Sequence, residues 1–338
     1  MTKKFDLAML YRQIVVTAWR TAWQHKHLWL FGFFAVFASF GGIYEILMRA
    51  QNSIIEGMPA ATWMQSPFYL MPGAALFRAL VAFSPNPILT VMIFLVTAAI
   101  VSSVFVWVII VSVGAIIGSV DKIRRGGDAE FADGVKMGMA KFWPLLGINL
   151  LSKITIGAAV MLTGTNLFAL IQYQTLTSGG FFFLSFILFL GLTIIVSVVT
   201  VYASIYSALG GLRIKEAIVR GWCLFTANWL ASLEISVILL LANLATTLVI
   251  ILGLLVASVP AIFLFVLATA AGSTALVISL TATFSLLFLA LLVVYGAFTT
   301  TFQIAGWTYF WNELTAQRPE PWLQRLTSRL AAKLNVKK

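Results

Sequence analysis

Charge is what this sequence has least of. Lys, Arg, Asp and Glu make up 10% of the 338 residues, against 61% hydrophobic ones, and the mean hydropathy is +1.00. Such a chain has too little polar surface to cover a water-facing globule, so composition places it in a bilayer. Cysteine occurs once, at Cys223, which excludes an internal disulfide and a cysteine-rich metal site. Histidine occurs twice, at His25 and His27, too few and wrongly spaced for the i, i+4 pair that a helix offers to a metal. No metal and no cofactor are therefore expected. Signatures of catalysis are missing as well: there is no Gly-x-Ser-x-Gly elbow, no His-Glu-x-x-His, no P-loop and no pair of intramembrane aspartates. The net charge of +11 does not point to nucleic acid, because the basic residues are dealt out between apolar runs instead of gathering on one soluble surface.

What is present is best read from residues 213 to 236. Arg213-Ile-Lys-Glu-Ala-Ile-Val-Arg220 has the pattern of a short basic helix, and Trp222 and Trp229 mark its passage into an apolar run. Lys215, Glu216, Val219 and Arg220 are expected to face water, Ala217, Ile218 and Phe225 lipid, and the two indoles the headgroup layer. Residues 131 to 153 repeat the pattern, with Phe131, Val135 and Met139 alternating with Asp133, Lys136 and Lys141 before Phe142-Trp143 opens a span. The chain opens on a third version, in which Leu7, Tyr11, Ile14, Ala18 and Ala22 recur at helical spacing and Trp19, Trp23 and Trp29 lead into an apolar run. Three units follow, each a leading amphipathic helix and a hairpin of two spans.

The expected fold is an all-α polytopic bundle of six spans, with amphipathic interfacial helices before spans 1, 3 and 5 and at the C-terminus. The spans are expected at about 28–48, 88–118, 142–171, 181–209, 226–257 and 275–311, each long enough for the ~20 residues a hydrocarbon core requires. They make residues 1–311 one transmembrane domain, followed by a tail at 312–338. Val36-Phe-Ala38 before Ser39 resembles a peptidase site, but the 27 preceding residues are too long for an ordinary signal-peptide n-region, so an uncleaved anchor is expected. Gly126-Gly127 and Gly210-Gly211 are expected to end helices, Ser178-Gly179-Gly180 to form the turn between spans 3 and 4, and Pro260 with Gly272-Ser273-Thr274 to break the connection between spans 5 and 6.

Six is the number that charge selects. Between 229 and 311 the chain carries Glu234 and no basic group, so gaps do not count the spans there. With a cytoplasmic N-terminus, residues 1–27, 119–141, 210–222 and 312–338 hold five, five, three and six Lys and Arg, which is 19 of 22 on one side. Only Arg49 and Arg78 fall outside, and Lys153 lies within a span. An odd total would put the six basic residues of the tail on the wrong side. Multi-pass insertion in a bacterial-type plasma membrane, both termini cytoplasmic, is the expected location.

Residues 49 to 87 form the one long loop, rich in proline and aromatics, with Gly73 to Phe83 fit to lie on the membrane as a short helix. Gly114-Ala-Ile-Ile-Gly118 offers another helix a close approach. In the tail Trp322, Leu323, Leu326, Leu330 and Leu334 form one arc and Arg325, Arg329, Lys333, Lys337 and Lys338 surround it, as in a surface helix drawn to anionic lipid at the cytoplasmic face. The bilayer, with its anionic lipid, is the expected partner; no protein partner can be named.

Polar groups inside the spans are the candidate site. They are Asn149, Lys153 and Asn166 in the third, Asn228, Glu234 and Asn243 in the fifth and Gln303 in the sixth. Amides at such depth are expected to bond across helices. A charge there costs ~2.5–3.5 kcal/mol on insertion scales, so it needs a partner or a purpose. Lys153 and Glu234 lie at comparable distances from their tryptophan markers and are expected to meet as an ion pair, with Asn149 one turn away on the same face. A structural clasp is the first reading of that pair, a substrate or proton site the second, and no contact at all the third.

The three-fold layout, above all Lys215-Glu-Ala-Ile-Val-Arg-Gly-Trp222 followed by Asn228-Trp229, resembles the six-helix bacterial membrane modules of the YciC kind and the membrane domain found beside glycerophosphodiester phosphodiesterases. In fused members of that group the hydrolytic activity belongs to a separate soluble barrel, which no segment here is polar enough to supply. The resemblance implies a membrane module without an active-site residue to carry over. The expected role is that of a non-enzymatic structural or accessory module of the cell envelope, with a small-solute or lipid transporter second and a membrane-embedded enzyme third.

Overall fold

In each of the three units a leading helix runs into an apolar one across a break of one or two residues, and a long helix follows. These elements come from a computed structural model, which describes residues 7–40 and 86–316. The first unit holds α1 (Leu7–Gln24), α2 (His27–Phe40) and α3 (Pro87–Arg124). The second holds α4 (Phe131–Ala140), α5 (Phe142–Tyr173) and α6 (Leu176–Gly210). The third holds α7 (Ile214–Ala227), α8 (Trp229–Ala270) and α9 (Thr274–Ala316). The described residues form helices and no strand. Five helices, α3, α5, α6, α8 and α9, are long and apolar enough to cross a membrane, and α2 is a shorter apolar helix. The chain is thus an all-helical protein of multi-pass membrane character.

The units close into a ring. Each short helix packs on the returning helix of the unit before it: α4 on α3, α7 on α6, and α1 on α9, while α3, α6 and α9 touch one another at the centre. Glycine permits the closest of these contacts. A Cβ on Gly138 of α4 would sit 2.1 Å from the Val111 carbonyl oxygen of α3, and one on Gly32 of α2 would sit 2.1 Å from that of Ala297 in α9. Gly114 and Gly118 do receive a helix, as their spacing suggests; it is α4, which brings Gly138 and Met137 against them. Tyr202, Phe302, Phe310, Leu28, Ile116, Leu145 and Ile235 fill the interior at less than 2% exposure.

Beyond this base the long helices continue as arms whose apolar side chains face outward. Met161 is 76% exposed, Val249 67% and Leu286 66%, the inverse of a water-soluble core. At 1.5 Å per residue the 42 residues of α8 extend about 63 Å, roughly twice a hydrocarbon core. One helix can therefore hold both a membrane crossing and a stretch of base.

Several expected boundaries move. Pro260 does not break span 5: α8 runs through it to Ala270, and the turn comes at Gly272 with φ +64°. The ring removes one peptide hydrogen bond, but unwinding in hydrocarbon would expose several peptide groups at several kcal/mol each. The turn between α5 and α6 lies at Gln174 and Thr175, not at Ser178-Gly179-Gly180. Gln174 adopts φ 48°, and Thr175 caps α6 by accepting from Ser178 N at 3.2 Å while Ser178 Oγ accepts from Thr175 N at 3.2 Å. The two glycines lie in the first turns of α6. Helix α9 runs to Ala316, past the expected domain limit at 311. Residues 41–48 of the expected first span, the proline-rich loop to 85 and the tail from 317, with Trp322, Arg325, Arg329 and Lys333, lie outside the described residues.

Candidate functional site

The three short helices carry the amphipathic pattern, but their apolar faces meet protein instead of lipid. On α1, Tyr11, Ile14, Ala18 and Ala22 are buried while Arg12, Gln13, Val16, Trp19, Arg20, Trp23 and Gln24 are exposed. On α7, Ala217, Gly221 and Phe225 are buried; Ala217 belongs to a cluster with Ala203 of α6 and Ile148 of α5, which corrects the lipid-facing assignment of Ala217 and Phe225. An apolar stripe on a helix says only that water is excluded there, and here other helices exclude it. The opposite face behaves as expected: Lys215, Glu216, Val219 and Arg220 are exposed, with Trp222 at 49% and Trp229 at 54%.

Exposed tryptophans recur on the short helices and at the starts of the long helices that follow them: Trp19 and Trp23 on α1, Trp143 on α5, Trp222 on α7 and Trp229 on α8. The basic side chains of the described base, among them Arg20, Lys122, Lys136 and Lys215, lie on elements at the same end. Two acids neutralise part of that charge. Asp121, 6% exposed, accepts from Arg124 and is bridged by Arg125 at 2.7 Å, closing the C-terminal turn of α3. Asp133 of α4 accepts from Lys122 of α3 at 2.6 Å, and that hydrogen bond, with the ammonium charge behind it, holds its carboxyl below the usual aspartate range.

Lys153 and Glu234 do not meet. Among the described residues the ion pairs are Lys122–Asp133, Asp121–Arg124 and Asp121–Arg125. Glu234 instead accepts from the Tyr11 hydroxyl at 2.7 Å, which joins α8 to α1. Lys153 lies on an exposed face of α5, and α5 packs on α6, α3 and α7, whereas α8 packs on α9, α7 and α1. Equal depth does not bring the two together, because α5 and α8 pack on different neighbours.

The amides also depart from expectation. Asn149 donates to the Leu145 carbonyl one turn back in its own helix, as Asn228 does to Leu224. Asn243 alone of these is bonded across helices: with Thr247 of α8 it meets the Tyr295 hydroxyl of α9. Hydroxyls carry most of the other cross-links. Tyr202 of α6 pairs with Ser232 of α8 at 2.7 Å, and Thr21 of α1 with Tyr309 of α9 at 2.8 Å. Tyrosine in an apolar stripe reads as core, and nothing in its spacing shows where the hydroxyl ends. Among the described residues no group of three or more His, Cys, Asp or Glu could hold a metal ion.

On the outer face of α1 a groove of about 440 Å³ is lined by Val16, Trp19, Arg20, Trp23 and Gln24. Both indoles are held from behind. Trp19 meets Phe298 at 4.7 Å and Phe302 at 5.7 Å between ring centroids, and Trp23 meets Trp29 and Phe298 at 5.9 Å each. The sequence pattern marks Trp19 and Trp23 as leading into an apolar run, and shows nothing of the hollow that they form with Arg20. No family model, curated protein or solved structure matches the chain.

Proposed function

We propose that this chain is a six-span protein of a bacterial-type plasma membrane, with both termini cytoplasmic, acting as a non-enzymatic structural or accessory module of the envelope. The observation that carries this reading is the ring of helices at the base, packed backbone to backbone at Gly32, Gly138 and Gly221. Its polar side chains are largely spent on one another and on helix carbonyls, as in Tyr202–Ser232 and Thr21–Tyr309. A scaffold needs such a base, whereas a solute carrier needs a polar path through it.

The sixth crossing is assigned to α2, the shorter apolar helix. α2 lies along α9 and α3, two of the five long helices, which supports counting it among the spans. An even number returns the chain to the side from which it started, and the 19 of 22 basic residues then share the cytoplasmic face. The short helices make a basic collar suited to anionic headgroups, and the sequence of the tail, with Trp322, Arg325, Arg329 and Lys333, suits the same lipid surface. The layout resemblance to YciC-like modules agrees with an accessory role.

Reconstituted into liposomes, the protein should pass no ion, small solute or lipid faster than protein-free vesicles do. A saturable flux would replace the accessory role by transport.

A further inference from the structure

The groove on α1 has the composition of a headgroup site. Val16, Arg20 and Gln24 are spaced four apart, as are Trp19 and Trp23, so the five side chains form two ridges on the face opposite the buried Tyr11, Ile14 and Ala18. The indole walls are braced by α2 and α9, and ordering them costs little further entropy on binding. Arg20 is exposed and has no ion pair among the described residues, unlike Arg124 and Arg125. It lies between Trp19 and Trp23 in the groove, and the membrane placement proposed above would bring these indoles to the headgroup layer. A guanidinium donates two parallel hydrogen bonds to a phosphate, and the Gln24 amide one turn on can reach glycerol oxygens.

We propose that the groove of Val16, Trp19, Arg20, Trp23 and Gln24 binds an anionic phospholipid of the host bilayer, with Arg20 on its phosphate and the indoles flanking the glycerol backbone. Charge complementarity selects this occupant: the chain carries +11, and the groove presents a cation between apolar walls that match a lipid's own order of phosphate, glycerol and acyl chain. The inference rests on the membrane placement proposed above.

Native mass spectrometry of the full chain, released from detergent after incubation with phosphatidylglycerol or phosphatidylcholine, tests it. Wild type should retain phosphatidylglycerol in preference. Arg20→Gln should lose roughly fivefold of that retention, the worth of one cation near an anionic leaflet, and Arg20→Lys should keep part of it. Lys153→Met, which removes an exposed charge on α5 outside the short helices, should bind as wild type does. Equal retention by wild type and Arg20→Gln, at unchanged helix content, would overturn the groove, as would an equal loss in Lys153→Met. A dimer that Arg20→Gln dissociates would assign the face to a second copy and overturn it too. Retention of no phospholipid by any variant would count against the membrane placement itself, and is thereby distinguished from failure of the groove alone.

Discussion

Replacing the Tyr11 hydroxyl by hydrogen removes a donor 2.7 Å from a Glu234 oxygen between α1 and α8. A hydrogen bond to a carboxylate in this half-buried place is worth about 1–2 kcal/mol, so Tyr11→Phe should lower the unfolding temperature in detergent measurably. Glu234→Gln keeps an acceptor for that hydroxyl and loses the charge, so it should cost less, and the double variant should cost less than the two together, because both touch one interaction. Lys153→Met is expected within about 0.5 kcal/mol of wild type and additive with Glu234→Gln, since no contact joins the two sites. Coupling between Lys153 and Glu234 in the same assay would restore the ion pair that the geometry denies. Asp133 makes a second residue-scale case. Its folded carboxyl titrates below 3.8, so the bond from Lys122 stabilises the folded state above that pH and is lost as the pH falls through the depressed value. Amide exchange in α4 should accelerate only at that acid end, and Asp133→Asn should abolish the dependence.

At the scale of elements, Gly138 and Gly157 are opposites. A methyl group at Gly138 would drive α4 off the Val111 carbonyl, an overpacking that costs about 1–3 kcal/mol or more, while nothing lies within 4 Å of one at Gly157 in the exposed part of α5. Gly138→Ala should therefore unfold at lower temperature, and Gly157→Ala should gain up to about 1 kcal/mol from helix propensity. Element starts and stops were largely legible in the sequence. Phe142-Trp143 opens α5, Trp229 opens α8, and Gly211 with φ +67° ends α6, because tryptophan, glycine and charge act locally. Faces were less legible. The stripe of Ala217 and Phe225 says that water is absent but not whether lipid or α6 replaces it, and Lys153 and Glu234 shared a depth without sharing an interface. A residue's partner depends on helix rotation, which advances 100° per residue and is set by contacts far along the chain. Pro260 misled for a different reason, since its usual meaning as a break assumes water ready to take up the freed peptide groups.

For the whole molecule, orientation can be read without adding a reporter. Cys223 is the single cysteine and is exposed on α7, so a membrane-impermeant maleimide should modify it in inverted vesicles and not in intact spheroplasts. Modification in spheroplasts alone would reverse the proposed topology.

Ring closure also has a meaning in time. The face of α1 that holds Tyr11, Thr21 and Ala22 is completed by Phe310 and Tyr309 of α9, 288 residues further along in the case of Thr21 and Tyr309. On a ribosome adding roughly 5–20 residues per second, that face waits some tens of seconds for its cover. Nascent chains halted before α9 therefore display an unmet apolar stripe on α1, the kind of exposed surface that makes an unfinished chain prone to aggregate.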